Sequence, residues 1–281
     1  GHSPLPQPVH SILYSDHQKD FVYGVRRPVR TTHFGGYKNG LATIDAKDDD
    51  IFYDTRSADS AIEFLKSYDR KAPFYREVGF HSPHTPWATP ARFKEMYPLW
   101  KFKQPEEWAA GYDSNRYADR RFHRFKELRN GRTRWWKKSV RNYYSAYSLV
   151  DDQLGRVWNA LKASRFADNT IVVIVADHGF HLGNKDRLEK SSLWEQVANI
   201  PLIIHLPERP QGQTVLDPVS TIDIGPTILD LLDLGKIESS VGQSLRPYVE
   251  GKKLAPRTIP TFFWQNASIR KGNYRLIRYN D

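Results

Sequence analysis

The sequence predicts an α/β fold that ends in a small antiparallel unit. The apolar residues of Lys138–Ala163 recur at helical spacing and form one stripe, which predicts a long amphipathic helix. Thr170–Ala176 is a run of apolar and β-branched residues without alternation, which is typical of a strand buried on both faces in a parallel sheet. Short strand patterns separated by turn residues predict the antiparallel unit, in Thr258–Trp264, Ala267–Arg270 and Tyr274–Tyr279.

Weaker patterns predict the remaining elements. Residues 1–52 are rich in proline, glycine and polar groups, and we expect loops with short pieces of regular structure there. Residues 87–137 are predicted to form a long connection. The other predicted elements are a helix in Ser57–Tyr68 with Ser57 or Asp59 as its N-cap, strands in Pro73–Phe80 and Ile200–Leu206, and a helix that begins near Asp223.

The composition excludes several classes of protein. Of the 281 residues, 39% are hydrophobic and 13% aromatic, which is enough for a core and too much for a disordered chain. No run approaches the ~18 consecutive apolar residues that a membrane-spanning helix needs. The sequence contains no cysteine, so these residues provide no disulfide, no cysteine-ligated zinc and no cysteine nucleophile.

Most of the formal net charge of +10 lies in Arg116–Arg141, which we call the basic stretch. It holds eleven lysines and arginines against two acidic residues, with aromatic residues interleaved. One interpretation is a surface for a polyanion such as an acidic polysaccharide; nucleic acid is disfavoured because no nucleic-acid module is recognisable. The alternative is a solvated insertion whose arginines lie over apolar surface.

Asp177 and His178 follow directly after the apolar strand pattern. In open α/β sheets, ligands bind beyond the carboxyl ends of the strands, which is where this pair falls. A carboxylate beside an imidazole can coordinate a divalent cation, and Gly179 and Gly183 would let the backbone approach a ligand closely. The alternative is a pair that only caps a loop.

Two longer motifs carry a resemblance to a known family. The first runs from Asp177-His178-Gly179 through Gly183 to Lys190, thirteen positions after Asp177, and then to an Ile-Pro-Leu-Ile strand. The second is the loop His81–Pro86, with the sequence His-Ser-Pro-His-Thr-Pro. Together they resemble the sulfatase branch of the alkaline-phosphatase superfamily, closest to the iduronate-2-sulfatase-like group. Weaker matches follow in the order that the family leads one to expect, in Val219–Leu229, Gly242–Leu245 and Ile269–Arg278.

The resemblance implies a fold and a division into domains. The implied fold is alkaline-phosphatase-like, a central mixed and mostly parallel sheet flanked by helices, with a small antiparallel C-terminal subdomain and the N-terminal part of the fold absent. Residues 1–235 would be the C-terminal part of the catalytic α/β domain, with 87–137 as a basic insertion. Residues 236–281 would be the truncated C-terminal subdomain.

The resemblance also implies roles for single residues. Asp177 and His178 fall where the family ligates its divalent cation, Ca²⁺ with Mg²⁺ as the alternative. Lys190 and His84 fall on catalytic positions, Lys190 to neutralise sulfate oxygens and His84 to help protonate the leaving alcohol. His81 and His181 are candidates for substrate contact, and a structural role is equally open for both.

The nucleophile that the resemblance implies is missing from these residues. The family uses a formylglycine made from the first residue of a Cys/Ser-x-Pro-x-Arg motif, and no serine here begins such a motif. Neither Asp48-Asp49-Asp50 nor Asp151-Asp152 can stand in for the paired metal aspartates of the family. We therefore expect a separate N-terminal chain or segment that carries the formylglycine, and no turnover by this chain alone.

Sulfate ester hydrolysis, with a sulfated glycan or similar small molecule as substrate, is the function that the resemblance favours. Phosphodiester or phosphonate monoester hydrolysis by the same superfamily is one alternative. A non-catalytic binder of acidic glycans is another, and a fragment of a sulfatase is a third. The resemblance further implies an exported or lysosomal protein without a membrane partner.

Overall fold

The structure, a computed structural model, describes residues 29–108, 125–209 and 212–280. The described residues form two compact units, and the second begins at Ile171. The predicted domain boundary at residue 235 stays a prediction. Among the described helices, none combines the length and the apolar character needed to cross a bilayer.

The first unit is mainly helical and carries a small mixed sheet. Strand β1 pairs with β2 antiparallel, and β2 pairs with β3 parallel. The long helix α4 packs against α1 and α2, and Ile51, Phe52, Phe93 and Leu149 form the buried core between them. The elements are β1 (Thr31–His33), β2 (Leu41–Thr43), α1 (Tyr53–Ser67), β3 (Thr89–Pro90), α2 (Ala91–Glu95), α3 (Lys126–Arg129) and α4 (Thr133–Lys162).

Helix α1 begins four residues before the predicted start. Its N-cap is Phe52, which has an extended backbone and no capping side chain. Because Ile51 and Phe52 are buried in the core, the chain is already held at the point where the helix starts. The prediction of Ser57 or Asp59 as N-cap was therefore wrong, and Asp59 instead forms an ion pair with Arg156 of α4.

Helix α4 confirms the predicted long helix but begins five residues earlier, at Thr133. Its buried stripe extends back to Trp136, which contacts Trp108 edge to face. The predicted connection at 87–137 therefore contains β3, α2, α3 and the first turn of α4. Residues 116–124 of the basic stretch lie outside the described residues.

Residues 73–80 are extended but do not form the predicted strand. No ladder joins this segment to another strand in the described ranges. Phe74 instead packs edge to face against Phe64 and Phe166, with ring centroids 5.1 Å apart in both pairs. A strand requires a hydrogen-bonded neighbour as well as a suitable pattern, and this segment is held through side-chain packing.

The second unit begins with a two-stranded sheet. β4 (Val172–Val175) and β5 (Leu202–His205) confirm both predicted strands, but they pair antiparallel. Val175 and Ile203 are exposed, so the expectation of a strand buried on both faces of a parallel sheet was wrong for this part of the chain. Burial of β4 would need further neighbours, and β5 is its only ladder partner in the described ranges.

The rest of the second unit ends in the predicted antiparallel sheet. Its strand order is β6-β7-β8, and Gly272, with a φ of 54°, lies in the predicted turn between the last two strands. The α/β class with a small antiparallel C-terminal unit is thereby confirmed. The elements are α5 (Glu195–Ala198), α6 (Ile224–Leu231), α7 (Arg246–Val249), β6 (Ile259–Phe263), β7 (Asn266–Lys271) and β8 (Tyr274–Arg278).

Asp223 takes part in a capping box on the 3-10 turn Thr221–Asp223, and it is also the N-cap residue of α6, where its side chain makes no capping bond. Ser220 is the N-cap of the 3-10 turn that leads into the helix. The Asp223 carboxylate accepts a hydrogen bond from the Ser220 backbone amide at 2.8 Å. The fully buried carboxylate of Asp223 also accepts from the Gln243 backbone amide at 3.0 Å and from Arg257. This one side chain therefore joins three separate segments of the second unit.

Candidate active site

The predicted site residues are divided between the two units. His81 and His84 lie in the first unit, and Asp177, His178, His181 and Lys190 lie in the second.

The loop His81–Pro86 is anchored by Asp54, a residue that sequence reasoning missed. Asp54 lies in the first turn of α1, is almost fully buried, and accepts hydrogen bonds from the backbone amides of His81 and Ser82. These bonds join main-chain atoms to a residue 27 positions earlier, so no spacing rule predicts them. The only signal in the sequence is an acidic residue near a helix start.

The two histidines of this loop contact each other. Their ring centroids are 4.7 Å apart, and the ring of Tyr53 meets His81 edge to face. His84 Nδ1 lies 2.8 Å from the carbonyl oxygen of Thr85. Because a carbonyl can only accept, this contact places a proton on Nδ1. The contact fixes the orientation of the His84 ring relative to the backbone of its own loop.

A buried lysine supports the chain directly after this loop. Trp87 is buried, and its Nε1 donates to the carbonyl oxygen of Pro83 at 2.6 Å. Lys94 Nζ donates to the carbonyl oxygen of Trp87 at 2.9 Å and to Ser145 Oγ at 3.3 Å. Burial, together with the positive charge of Arg141, lowers the pKa of Lys94 to about 7. The residue that follows the loop is thus held by the buried Lys94 amine, and neither of the two acceptors of this amine is a carboxylate.

In the second unit, Asp177 and His178 lie together just after β4. Asp177 Oδ1 accepts from the His178 backbone amide at 2.9 Å, and Asp177 Oδ2 lies 3.4 Å from His178 Nε2. His178 Nδ1 lies 2.8 Å from the carbonyl oxygen of Gly179, which places a proton on Nδ1. In the neutral ring, Nε2 then presents its lone pair beside the carboxylate.

This pair fits a divalent cation but does not complete a site. With metal–ligand distances of about 2.1–2.5 Å, neighbouring ligands lie about 3.0–3.5 Å apart, and the 3.4 Å between Asp177 Oδ2 and His178 Nε2 falls in that range. The same geometry suits a carboxylate–imidazolium pair. Within the described ranges, no group of three histidine, aspartate or glutamate side chains could hold an ion. Further ligands would have to come from other residues.

Glycine is required at position 179 because the backbone there packs closely against α5. A Cβ at this position would lie 2.2 Å from the carbonyl oxygen of Gln196 in α5. The Gly179 amide also donates to the carbonyl oxygen of Val197 at 2.8 Å. The sequence indicated a close approach of the backbone to a ligand, and the structure shows a close approach to α5 instead. His178 is thereby held against a fixed element.

Lys190 presents a half-exposed ammonium from a constrained turn. Its carbonyl oxygen accepts from the Ser192 amide at 2.8 Å, and the neighbouring Glu189 carbonyl accepts from the His181 amide at 2.9 Å. The Lys190 side chain makes no hydrogen bond or ion pair with the residues that the structure describes. A fixed backbone with an unpaired ammonium is the arrangement that anion binding needs.

His181 is completely buried. Its Nδ1 lies 3.0 Å from Asn184 Oδ1, and its Nε2 lies 2.8 Å from Ser192 Oγ. Burial lowers the pKa of His181 to about 4, although the hydrogen bond to Asn184 opposes the shift. Because both ring nitrogens are occupied inside the protein, this environment favours the structural alternative over direct substrate contact.

The buried His181 predicts a specific loss of stability in acid. Its pKa is about 4 in the folded chain and about 6.5 when unfolded, so the unfolded state binds the proton first as the pH falls. We expect the contribution of His181 to the free energy of unfolding to be intact above pH 6.5 and to fall by about 3 kcal/mol as the pH drops to 4. Urea unfolding at several pH values measures this change. The His181→Gln variant should lack it, and an equal slope in both proteins would contradict the prediction.

The comparisons with known proteins identify the family. Residues 15–234 match the sulfatase family model, and the chain belongs to the sulfatase family. It is 32% identical over 226 residues to a sulfatase of Formosa agariphila, covering 78% of this chain and 44% of that protein. It is 26% identical to human iduronate 2-sulfatase, covering 87% of this chain and 49% of that protein. The chain thus spans about half the length of the curated relatives it matches.

Solved structures support the same fold, which is alkaline-phosphatase-like. A YidJ sulfatase from Bacteroides fragilis superposes with a TM-score of 0.62 at 26% identity, over 80% of this chain and 48% of that chain. A phosphonate monoester hydrolase of Agrobacterium radiobacter superposes with a TM-score of 0.68 at 20% identity, over 93% of this chain and 57% of that chain. At that identity the second match shows the fold alone.

Proposed function

We propose that the protein containing this chain is a sulfuric ester hydrolase. The observation that carries the proposal is the Lys190 ammonium, held on a constrained turn thirteen positions after Asp177 and unpaired within the described residues. A preorganised positive charge of this kind stabilises the sulfate oxygens as negative charge builds up during S–O cleavage. His84, whose ring is oriented by the contact of its Nδ1 with the Thr85 carbonyl oxygen, is proposed to supply the proton to the leaving alcohol.

The remaining machinery is proposed to come from outside these residues. A formylglycine supplies the nucleophile, and it requires a Cys/Ser-x-Pro-x-Arg motif that this sequence does not contain. Asp177 and His178 provide two ligands of a divalent cation, which is proposed to be Ca²⁺, with Mg²⁺ as the alternative. Other residues would supply the further oxygen ligands that a hard cation requires. In the described ranges β4 and β5 pair only with each other, so a strand of a partner segment could extend this sheet at either edge.

The proposed substrate is a sulfated carbohydrate or a similar sulfate ester. Relatives include proteins named iduronate 2-sulfatase and N-acetylglucosamine-6-O-sulfatase, which supports a sugar substrate. The basic stretch would complement such a polyanion. Arg141 does not take part in this surface, because it donates to the carbonyl oxygen of Phe34 and lies over the Phe34 ring.

Hydrolysis of phosphonate monoesters or phosphodiesters is the second candidate. The fold is compatible with this reaction, because a phosphonate monoester hydrolase shares the fold over 93% of this chain. Sulfate and phosphate esters both present tetrahedral oxyanions, and Lys190 would serve either one. The substrate class therefore has to be measured rather than argued from the fold.

Denaturing mass spectrometry and paired substrates test the proposal. In active material, we expect a peptide with the Cys/Ser-x-Pro-x-Arg motif whose first residue has the mass of formylglycine. We expect an aryl sulfate to be hydrolysed faster than the matched aryl phosphonate and phosphate, and a chelator to remove the activity until Ca²⁺ is restored. A preference for the phosphonate would favour the second candidate. Salt-sensitive binding of a sulfated polysaccharide without turnover would overturn both in favour of a glycan binder.

A further inference from the structure

We propose that His181 and Ser192 are positioning residues that hold Lys190 in place through a buried hydrogen-bond chain. The catalytic meaning of this inference rests on the proposed function, whereas its structural content does not. The chain runs from Ser192 Oγ to His181 Nε2 at 2.8 Å, and from His181 Nδ1 to Asn184 Oδ1 at 3.0 Å. Ser192 lies only two residues after Lys190.

The proton positions of these two hydrogen bonds are consistent with each other. Asn184 Oδ1 can only accept, so His181 Nδ1 carries a proton. Nε2 then accepts from the Ser192 hydroxyl. All three side chains are buried, which makes each bond costly to lose because no water can replace the missing partner.

Backbone hydrogen bonds close the turn around Lys190. The His181 amide donates to the carbonyl oxygen of Glu189, and the Ser192 amide donates to that of Lys190. His181 therefore holds the residue before Lys190 through its backbone and the second residue after it through its ring. Movement of Lys190 away from this position would break contacts on both sides.

An aromatic ring and two further cations lie beside the turn. The His181 ring meets Trp194 edge to face with centroids 5.4 Å apart. Lys185 Nζ and the Arg187 guanidinium each lie 4.9 Å from the Trp194 ring centre, and Arg187 also pairs with Glu189 at 2.9 Å. The neighbouring cations are therefore engaged with the protein, in contrast to the ammonium of Lys190.

Ser192, His181 and Asn184 resemble a nucleophile, a base and an orienting group, but their burial excludes that role. Serine–histidine–asparagine chains of this geometry can activate the serine as a nucleophile. Here Ser192 is 5% exposed, and His181 is completely buried. A substrate could not reach the Ser192 hydroxyl. The hydrogen bonds of these side chains instead fix the backbone around Lys190.

Hydrogen exchange tests the structural part of the inference in the complete protein. In the Ser192→Ala variant, we expect amide exchange in the peptide around Lys190 to rise about tenfold or more, while the rest of the second unit is unchanged. Ser192→Thr keeps the hydroxyl and should keep the protection. Ser191→Ala is the matched control, because the Ser191 hydroxyl makes no hydrogen bond with the described residues. Unchanged exchange in both Ser192→Ala and His181→Gln would overturn the inference.

A double-mutant cycle tests the link to Lys190. We expect Ser192→Ala to lower kcat/KM for an aryl sulfate about tenfold or more, and to change it less than about twofold when Lys190 is already methionine. Equal effects in both backgrounds would show that Ser192 acts elsewhere and would overturn the positioning role. If the complete protein hydrolyses no sulfate ester while exchange responds as expected, the proposed function fails and the structural inference stands.

Discussion

Replacing Lys190 with methionine is expected to lower kcat/KM for an aryl sulfate by about 10²–10³-fold in the complete enzyme. Methionine keeps much of the length and the apolar stem of the side chain but removes the charge. The loss should be this large because the ammonium is already oriented by its turn and has no partner among the described residues, so its charge is not neutralised in advance. Steady-state kinetics of the two proteins measures the effect.

Lys185→Met is the matched control for that substitution. Lys185 carries the same charge five residues earlier, but its ammonium lies over the Trp194 ring at 4.9 Å. We expect a loss of less than about tenfold there, because a general positive field contributes far less than a direct contact. Similar losses in the two variants would contradict a specific contact between Lys190 and the sulfate group.

Asp223→Ala is expected to lower the free energy of unfolding by about 3–5 kcal/mol. Its buried carboxylate accepts from Ser220, Gln243 and Arg257, and alanine would leave the guanidinium and two backbone amides without their acceptor. The 3-10 turn Thr221–Asp223, which leads into α6, would also lose half of its capping box. Urea-induced unfolding at neutral pH measures the difference.

Asp233→Ala provides the comparison on the surface. Asp233 pairs with Arg246 at 2.9 Å, but its side chain is 82% exposed, and Arg246 also bonds to Asp230 and Glu250. We expect a change below about 1 kcal/mol, since water replaces the lost contact. A cost at Asp233 equal to the cost at Asp223 would mean that burial does not decide the strength of these pairs.

The sequence predicted those features that depend on neighbouring residues in the chain. The period of apolar residues identified α4, and the alternation and turn residues identified the strands β6–β8. Element ends were less predictable, because α1 starts where Phe52 enters the core and not at a capping side chain. The exposure of β4 was missed for a similar reason, since a strand pattern shows which residues could be buried but not what covers them.

In the candidate site, too, features that depend on spacing along the chain were predictable, and features that depend on tertiary packing were not. The spacing of Asp177, His178 and Lys190 singled them out, and the structure shows the first two in contact. The surroundings of His181 could not be predicted, because its burial and its bond to Ser192 depend on how residues eleven positions apart fold back on each other. Asp54 was missed because it recognises main-chain atoms, which every residue except proline presents alike.

The recognition of main-chain atoms by Asp54 bears on how the loop His81–Pro86 could diversify during evolution. Asp54 holds the loop by the backbone amides of His81 and Ser82, so the attachment does not depend on which side chains those two positions carry. Substitutions there can alter the chemistry presented by the loop while its path is retained. Only proline, which has no amide hydrogen, would break the attachment. The side chains that this loop presents can therefore change without rebuilding the fold.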